Sequence, residues 1–483
     1  MARAYLHLSI NGRRHRVTGD DALLSLSDFL RHRLGLVGTK IVCSEGDCGA
    51  CSVIIARSGE AAGRYVPVDA CITWMFQLDR ASIITIEGLR RGDELHAMQR
   101  AMIEGHGSQC GFCTPGFVMA MAALAADAAA AGREAMSDGE LRRGLTGNLC
   151  RCTGYSQIIE AGRSVDLSGI EPLMRRNPPA ELGALDEHAS AGVRIIGDGG
   201  REVCVPASLH EAVEYLAASP EAKIVCGATD VGVQINKGAI TPGKVLYIGG
   251  LAELKRVVSA QGRLTIGAAA TWYDVAAAVK DLLPPLAQII ERFGAPQVRH
   301  AATIGGNIIN ASPIADSLPL LYVTDARLRL VNAGGQRWVR MADFVCGYRK
   351  LDLRAGELLA DVELTLPANG QVLRLYKVSK RRDLDISTFT AAMLFTLAGD
   401  RVEEARIAYG GVGPVVLRLP RAEAHLRGKV LTEALMTEAG AIARGEVAPI
   451  TDVRASSDYR SELANTILLK AYHDITHDEA VSR

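Results

Sequence analysis

Cysteine spacing constrains this chain more than any other feature: of eleven cysteines in 483 residues, eight fall between Cys43 and Cys152. They form two sets. The first is Cys43-x4-Cys48-x2-Cys51, with Cys71 further along; the second is the pair Cys110-x2-Cys113 and the pair Cys150-x-Cys152. The first twenty residues are polar and lack the apolar stretch of a secretory signal. The chain is therefore expected in the cytoplasm, a reducing compartment in which disulfides rarely persist. Clustered cysteines there point to metal.

The first three thiols match the spacing of a plant-type [2Fe–2S] loop, whose fourth ligand is distant in sequence. Gly46 and Gly49 let the backbone wrap closely and turn N–H groups toward sulfur, which tunes the reduction potential. Structural zinc is the alternative, but zinc sites usually come as paired short spacings. The second set taken alone also fits zinc or a redox dithiol. Both of its pairs lie at helix starts, with Thr114 and Pro115 as N-cap and N1 after the first pair. Read together, the sets give metal ligands Cys43, Cys48, Cys51 and Cys71 for one cluster and Cys110, Cys113, Cys150 and Cys152 for another.

Charge and hydropathy narrow the partners. Lys plus Arg and Asp plus Glu both number 54, so no field of one sign recruits nucleic acid or a membrane surface. Aromatic residues make up only 5%, too few for a base-stacking platform. The alanine-rich run at 120–131 is too short for a membrane span and contains Asp127.

Periodicity predicts an α+β multidomain fold. Residues 1–90 read as a β-rich unit, with a hairpin turning at Asn11 and Gly12, a helix over 24–33 and a strand over 52–56. Residues 91–165 switch to helical spacing, with helices over 95–104, 116–131, 138–145 and 155–161. A linker at 166–198 is marked by Pro172, Pro178, Pro179 and Gly183. Short apolar runs alternate with helical stretches over 199–370, an α/β pattern. Residues 371–483 read as a smaller α+β domain with strands over 372–378, 391–397 and 402–410. Glycine-bearing turns at 227–230 and 305–307 suit a diphosphate through their backbone N–H groups, without a GxGxxG fingerprint.

The segments from Gln109 to Gly116 and from Gly147 to Tyr155 resemble the signature of the molybdenum hydroxylases, the xanthine dehydrogenase and aldehyde oxidase family. The resemblance continues through residues 224–231, 303–308, 311–316 and 376–383, and covers about 5–475. It implies a β-grasp ferredoxin-like domain, a four-helix [2Fe–2S] bundle, an α/β FAD-binding domain and an α+β C-terminal flavoprotein domain. The order of motifs is most similar to the small subunits of bacterial two-subunit xanthine dehydrogenases.

The same resemblance implies where cofactors and partners lie. It makes the cluster at Cys110, Cys113, Cys150 and Cys152 the inner one, nearer molybdenum, and the cluster at Cys43, Cys48, Cys51 and Cys71 the outer one, nearer FAD. It places FAD contacts on Ile224, Val225, Cys226, Gly227, Ala228, Thr229, Asp230, Val231, Phe293, Thr303, Ile304, Gly305, Gly306, Asn307, Asp316, Leu359 and Lys377. Lys377 has a plain alternative as a solvated lysine in a basic run. By the resemblance Gln109 faces a partner's pterin. It also implies molybdopterin on a separate large subunit in an (αβ)2 heterotetramer, with electrons from hypoxanthine or xanthine ending on NAD. Another molybdenum hydroxylase acting on an aldehyde or N-heterocycle, or a stand-alone flavin–iron–sulfur carrier, fits the same chain. Cys204, Cys226 and Cys346 are expected as buried small apolar residues, and His96, His106 and His300 as structural.

Overall fold

The structure, a computed structural model, describes residues 2–57, 64–173 and 191–481. Residues 174–190, most of the expected linker, lie outside the described residues. The chain divides into two compact units: Met1–Glu253 with Gly294–Ala302, and Leu254–Phe293 with Thr303–Arg483.

The first unit opens with a five-stranded sheet in the order Arg13–Val17, Leu6–Ile10, Ala81–Ile84, Ser52–Arg57, Val66–Asp69. Asn11 and Gly12 both have positive φ, the geometry a two-residue hairpin of the right twist demands. Leu6–Ile10 runs parallel to Ala81–Ile84 and every other pairing in the sheet is antiparallel. The helix expected over 24–33 is not one continuous α-helix. Ser25 caps a short turn Leu26–Asp28, and the next turn, Phe29–Arg33, widens to a π-type closure from Leu34 N–H to Phe29 O. The wider turn keeps Phe29 and Leu30 buried under the sheet.

Four helices follow: Ala97–Glu104, Thr114–Ala130, Asp138–Gly144 and Ser156–Arg163. Thr114–Ala130 is the central one. Its alanines and methionines are buried along most of its length, so neighbours approach its axis closely. Its N-cap is the ligand candidate Cys113, one residue earlier than expected, with Pro115 in the first turn.

A second sheet in this unit runs Val193–Ile196, Glu202–Val205, Lys244–Tyr247, Lys223–Val225. Its last three strands are parallel, and Leu209–Ala218 and Val231–Asn236 serve as crossover helices. Residues 226–230 therefore leave the carboxyl end of a parallel strand, where α/β sheets place ligands.

The second unit holds a five-stranded antiparallel sheet, Val257–Ala260, Arg263–Gly267, Leu358–Thr365, Arg327–Asn332, Gly335–Arg340. It also holds a four-stranded antiparallel sheet formed by Gln371–Val378, Phe389–Ala398, Arg401–Gly410 and Leu417–Arg418. The long helices Glu433–Arg444 and Ser457–Val481 belong with the latter. Among the described residues no helix is long and apolar enough to cross a membrane.

Candidate functional site

The outer cysteine loop is built from strained turns. Ser44, Gly46 and Gly49 all have positive φ. A Cβ on Gly46 would lie 2.3 Å from Ile72 Cδ1, and one on Gly49 would lie 2.3 Å from the Gly147 carbonyl oxygen. Only glycine fits at both places. The turn directs the N–H groups of Glu45 and Asp47 at Cys43 Sγ, 3.4 and 3.5 Å away. The Cys43 thiol meets both Cys48 and Cys71, and Cys71 also meets Cys51. All four outer thiols are thus joined in one chain of contacts, with Cys51 and Cys71 buried.

Three residues that spacing did not single out complete this loop. Asn236, at the end of helix Val231–Asn236, donates from its one amide nitrogen to Ser44 O (2.9 Å) and Cys71 O (2.8 Å). Lys237 next to it pairs with Glu45. Asp69 lies beneath, with Oδ1 3.8 Å from Cys51 Sγ. Burial pushes its carboxyl up to about 7, and the Cys43 thiolate adds to the effect.

The inner set comes together from two helix starts. Cys110 and Cys152 Sγ are 3.6 Å apart, and Cys113 touches Cys150. A disulfide requires ~2.05 Å between sulfurs. A tetrahedral metal with bonds of ~2.3 Å to sulfur holds two thiolates ~3.8 Å apart, which the observed separation approaches. No three His, Cys, Asp or Glu among the described residues gather round a single ion. The inner thiols, meeting in pairs, suit two irons each held by two sulfurs, and the joined outer thiols can divide in the same way, Cys43 with Cys48 and Cys51 with Cys71. Thr153 Oγ1 donates to Cys150 Sγ (3.2 Å), and the Tyr155 hydroxyl accepts from Cys150 N–H (3.0 Å). Cys110 and Cys152 are exposed, and Phe112, Leu149 and Tyr155, each within three residues of an inner ligand in sequence, are exposed apolar or aromatic side chains.

The two loops are directly joined. Leu149 N–H donates to Cys48 O at 3.0 Å, linking the residue before one inner ligand to an outer ligand. A Cβ on Gly116 would lie 2.1 Å from Gly49 O, so the inner helix can start against the outer loop only because that position is glycine.

In the first unit the proposed FAD segment, residues 224–231, begins inside strand Lys223–Val225 and runs past its end. Ala228 has φ +61°, a left-handed residue that turns successive amides to one side. The N–H groups of Gly227, Ala228, Thr229, Asp230 and Val231 donate no hydrogen bond to the described residues. Such a row is an anion nest and fits a diphosphate. Gly227 is required for another reason: its Cβ would lie 2.1 Å from Ala301 O.

In the second unit the matching turn is built differently. Ile304 N–H donates to Ala270 O, Gly305 N–H to Ala268 O, Gly306 N–H to Thr303 Oγ1 and Asn307 N–H to Thr303 O. The N–H groups expected to cradle phosphate at 305–307 are therefore engaged within the protein. Phe293 is buried edge-on to Trp272, with centroids 5.0 Å apart. Leu359 is buried within strand Leu358–Thr365 opposite Leu330. Lys377 is not a solvated lysine. It is 6% exposed and donates to Asp316 Oδ2 (2.7 Å) and to Ser387 Oγ (2.9 Å), while Ser387 also bonds Asp316 Oδ1.

Of the remaining cysteines, Cys204 is buried, Cys226 is half-buried at the start of the nest, and Cys346 is exposed and donates to Asp343 O. The expectation of a buried Cys346 fails because in strand Val345–Gly347 it is Val345 that is buried, while Cys346, the next residue, takes the exposed side. His96 caps helix Ala97–Glu104 and His300 is buried.

Family models and relatives match the chain along most of its length. A model of the 2Fe-2S iron-sulfur cluster binding domain matches residues 8–74, and one of the [2Fe-2S] binding domain matches 85–163. The FAD binding domain in molybdopterin dehydrogenase matches 198–368, and the CO dehydrogenase flavoprotein C-terminal domain matches 374–475. Xanthine dehydrogenase 1 of Arabidopsis thaliana is 28% identical over 98% of this chain and 40% of its own length. Xanthine dehydrogenase/oxidase of Rattus norvegicus is 31% identical over 83% of the chain and 34% of its own length. The chain thus spans about 40% or less of these relatives. Quinoline 2-oxidoreductase from Pseudomonas putida 86 superposes with TM-score 0.53 at 28% identity, over 56% of this chain and 94% of the other. Carbon monoxide dehydrogenase from Hydrogenophaga pseudoflava gives TM-score 0.53 at 27% identity, over 55% and 93%.

Proposed function

For a chain that carries the two [2Fe–2S] domains and the FAD-binding domain of the molybdenum hydroxylase family, we propose the role of electron-transfer subunit of a cytoplasmic xanthine dehydrogenase. A large partner subunit bearing molybdopterin would oxidise hypoxanthine or xanthine, in an (αβ)2 assembly, with NAD as final acceptor. When bound, the clusters move single electrons and the flavin joins one-electron to two-electron chemistry.

The observation that carries this reading is the contrast in exposure along one connected structure. The thiols of Cys110 and Cys152 face solvent with exposed apolar residues close in sequence, as a docking face for a partner needs. Those of Cys51 and Cys71 are buried, and the Cys71 carbonyl is held by the helix that follows the amide nest. The eight cysteines would hold the clusters as two sets of four. The nest at 227–231 would hold the FAD diphosphate, and Asn236 ties the outer loop to that helix. The FAD assignments to Phe293, residues 303–307, Asp316, Leu359 and Lys377 rest on the sequence resemblance, taken within the second unit alone.

Isolating the native complex and measuring metal and flavin per chain tests the reading: about four irons, one FAD and one molybdenum are expected, and only two irons would sink it. The substrate is tested by assay with xanthine and NAD⁺. A second reading, another substrate class, is favoured by the likeness to quinoline 2-oxidoreductase and carbon monoxide dehydrogenase. Turnover of an N-heterocycle or aldehyde with no turnover of xanthine would decide for it.

A further inference from the structure

Between the two cysteine loops lies a buried polar knot that neither set of ligands explains. Gln297, in the turn Pro296–Arg299, is 1% exposed; Asn148 and Ser52 are 3% and 2% exposed. Ser52 is adjacent to Cys51 and Asn148 stands two residues before Cys150. Gln297 Nε2 donates to Ser52 Oγ (3.0 Å) and to Asn148 Oδ1 (2.9 Å). Asn148 Nδ2 in turn donates to Gly49 O (3.1 Å), and the Ser52 hydroxyl donates to the same carbonyl (2.7 Å).

Every donor role in this knot is fixed by another. The Ser52 proton goes to Gly49 O, so Oγ must accept. Asn148 Nδ2 goes to Gly49 O, so Oδ1 must accept. Gln297 Nε2 donates to both at short range, while Asn148 Nδ2 also lies 3.5 Å from Ser52 Oγ. Its own Oε1 has no partner among the described residues and faces Gly147, where a Cβ would come within 2.1 Å. An unsatisfied buried carbonyl is costly, so holding this amide in place has a local cost that the fold bears.

The residue after Asn148 makes the bridge between the loops, Leu149 N–H to Cys48 O at 3.0 Å. Resting on the two-cluster reading above, we propose that Gln297 is a positioning residue for electron passage between the clusters. Its two N–H bonds hold Ser52 of the outer loop and Asn148 of the inner loop against each other. That fixes Leu149 N–H on the carbonyl of Cys48 and joins an outer ligand to Cys150 through one hydrogen bond and a short run of backbone. The amide comes from the segment matched by the FAD-binding domain, so that domain's chain sets the register of the two iron–sulfur loops. Removing the donors leaves Asn148 Oδ1 without its buried partner and Ser52 Oγ with only the longer contact to Asn148 Nδ2, which shifts the population of the bridged arrangement on the order of tenfold.

The test uses the full chain with both clusters assembled. Q297M keeps the length and bulk of the side chain and deletes its donors; Q297E keeps Oε1 and deletes the donors. Both are expected to retain about four irons and to lower the rate of electron exchange between the clusters about tenfold. The magnetic interaction between the two reduced clusters should broaden into several populations in the same variants. S52A removes one of the two acceptors of Gln297 together with the Ser52 bond to Gly49 O, leaves Gln297 on Asn148, and should give the same change at smaller size, which keeps the test available if Q297M loads its clusters poorly. A Q297M chain with four irons, a lowered melting temperature and wild-type exchange and spin coupling overturns this inference alone. A wild-type chain with two irons overturns the two-cluster reading, and the inference with it.

Discussion

The turn at 227–231 and the turn at 303–307 both place glycine among small residues ahead of a short helix, and they use their amides in opposite ways. In the first unit Ala228 in the left-handed region leaves five successive N–H groups without an acceptor among the described residues. In the second, Thr303 and the carbonyls of Ala268 and Ala270 take up every N–H from Ile304 to Asn307. The charged groups follow the same division: Lys377 and Asp316 of the second unit satisfy each other. What distinguishes a turn able to take an anion from a structural one is therefore not the glycines but whether neighbouring backbone has already accepted the hydrogens.

The comparison breaks first at Lys377. If its ammonium serves Asp316 and Ser387, K377M leaves the half-buried Asp316 carboxylate with the Ser387 hydroxyl but no cation, and should destabilise the chain by about 3 kcal/mol. Replacing both members of the pair with apolar residues should restore most of that. Chemical denaturation of K377M and of K377M/D316L checks it. A K377M chain of wild-type stability that loses FAD would instead make Lys377 a direct ligand. Next in size is G227A. The added methyl meets a backbone carbonyl at 2.1 Å, which a side-chain shift cannot relieve. A loss of about 1–3 kcal/mol is expected, together with weaker FAD binding by flavin titration, because the turn must open to admit the methyl.

Much of this is legible in the residues alone, for identifiable reasons. Cysteine spacing acts over a few residues, so the two sets and the hairpin at Asn11 and Gly12 can be read directly. The α+β multidomain fold follows from periodicity switching along the chain. Local signals fail where distant groups decide. The engaged amides at 305–307 depend on Ala268, the burial of Lys377 depends on Asp316, and the clamp from Asn236 reaches back to Ser44 and Cys71. Gln297 carries no local signal for the same reason, since its partners Ser52 and Asn148 are far off in sequence. The break in the helix over 24–33 stays hidden because one wider hydrogen bond leaves no mark on apolar spacing.

The two turns should also differ in acid. His300 precedes Ala301, whose carbonyl abuts Gly227. Burial lowers its pKa to about 3, with the charges of Arg64, Arg299 and Arg57 adding to the shift. Above pH ~6.5 the imidazole is neutral both folded and unfolded and contributes nothing. Below that the unfolded chain takes up a proton that the folded chain refuses, so stability falls as the pH drops from about 6.5 toward about 3. The loss is about 2 kcal/mol by pH 5. Measuring unfolding free energy against pH for the wild type and H300L should show curves that diverge below pH ~6.5. Parallel curves would mean that His300 titrates normally.

The smallest effect is the sharpest test of the second turn. Thr303 Oγ1 accepts Gly306 N–H at 3.1 Å as the cap of helix Ile304–Asn310. T303V keeps the shape and removes the acceptor, at a cost of about 1 kcal/mol. It also frees one N–H in a turn that otherwise has none to offer. If the second turn holds no phosphate through its amides, FAD affinity in T303V should stay at the wild-type value or rise slightly, because the new donor resembles those at 227–231. A marked loss of FAD affinity at unchanged stability would mean that the Thr303 hydroxyl itself touches the ligand. The two turns would then differ in which atoms they present, and not in whether they bind.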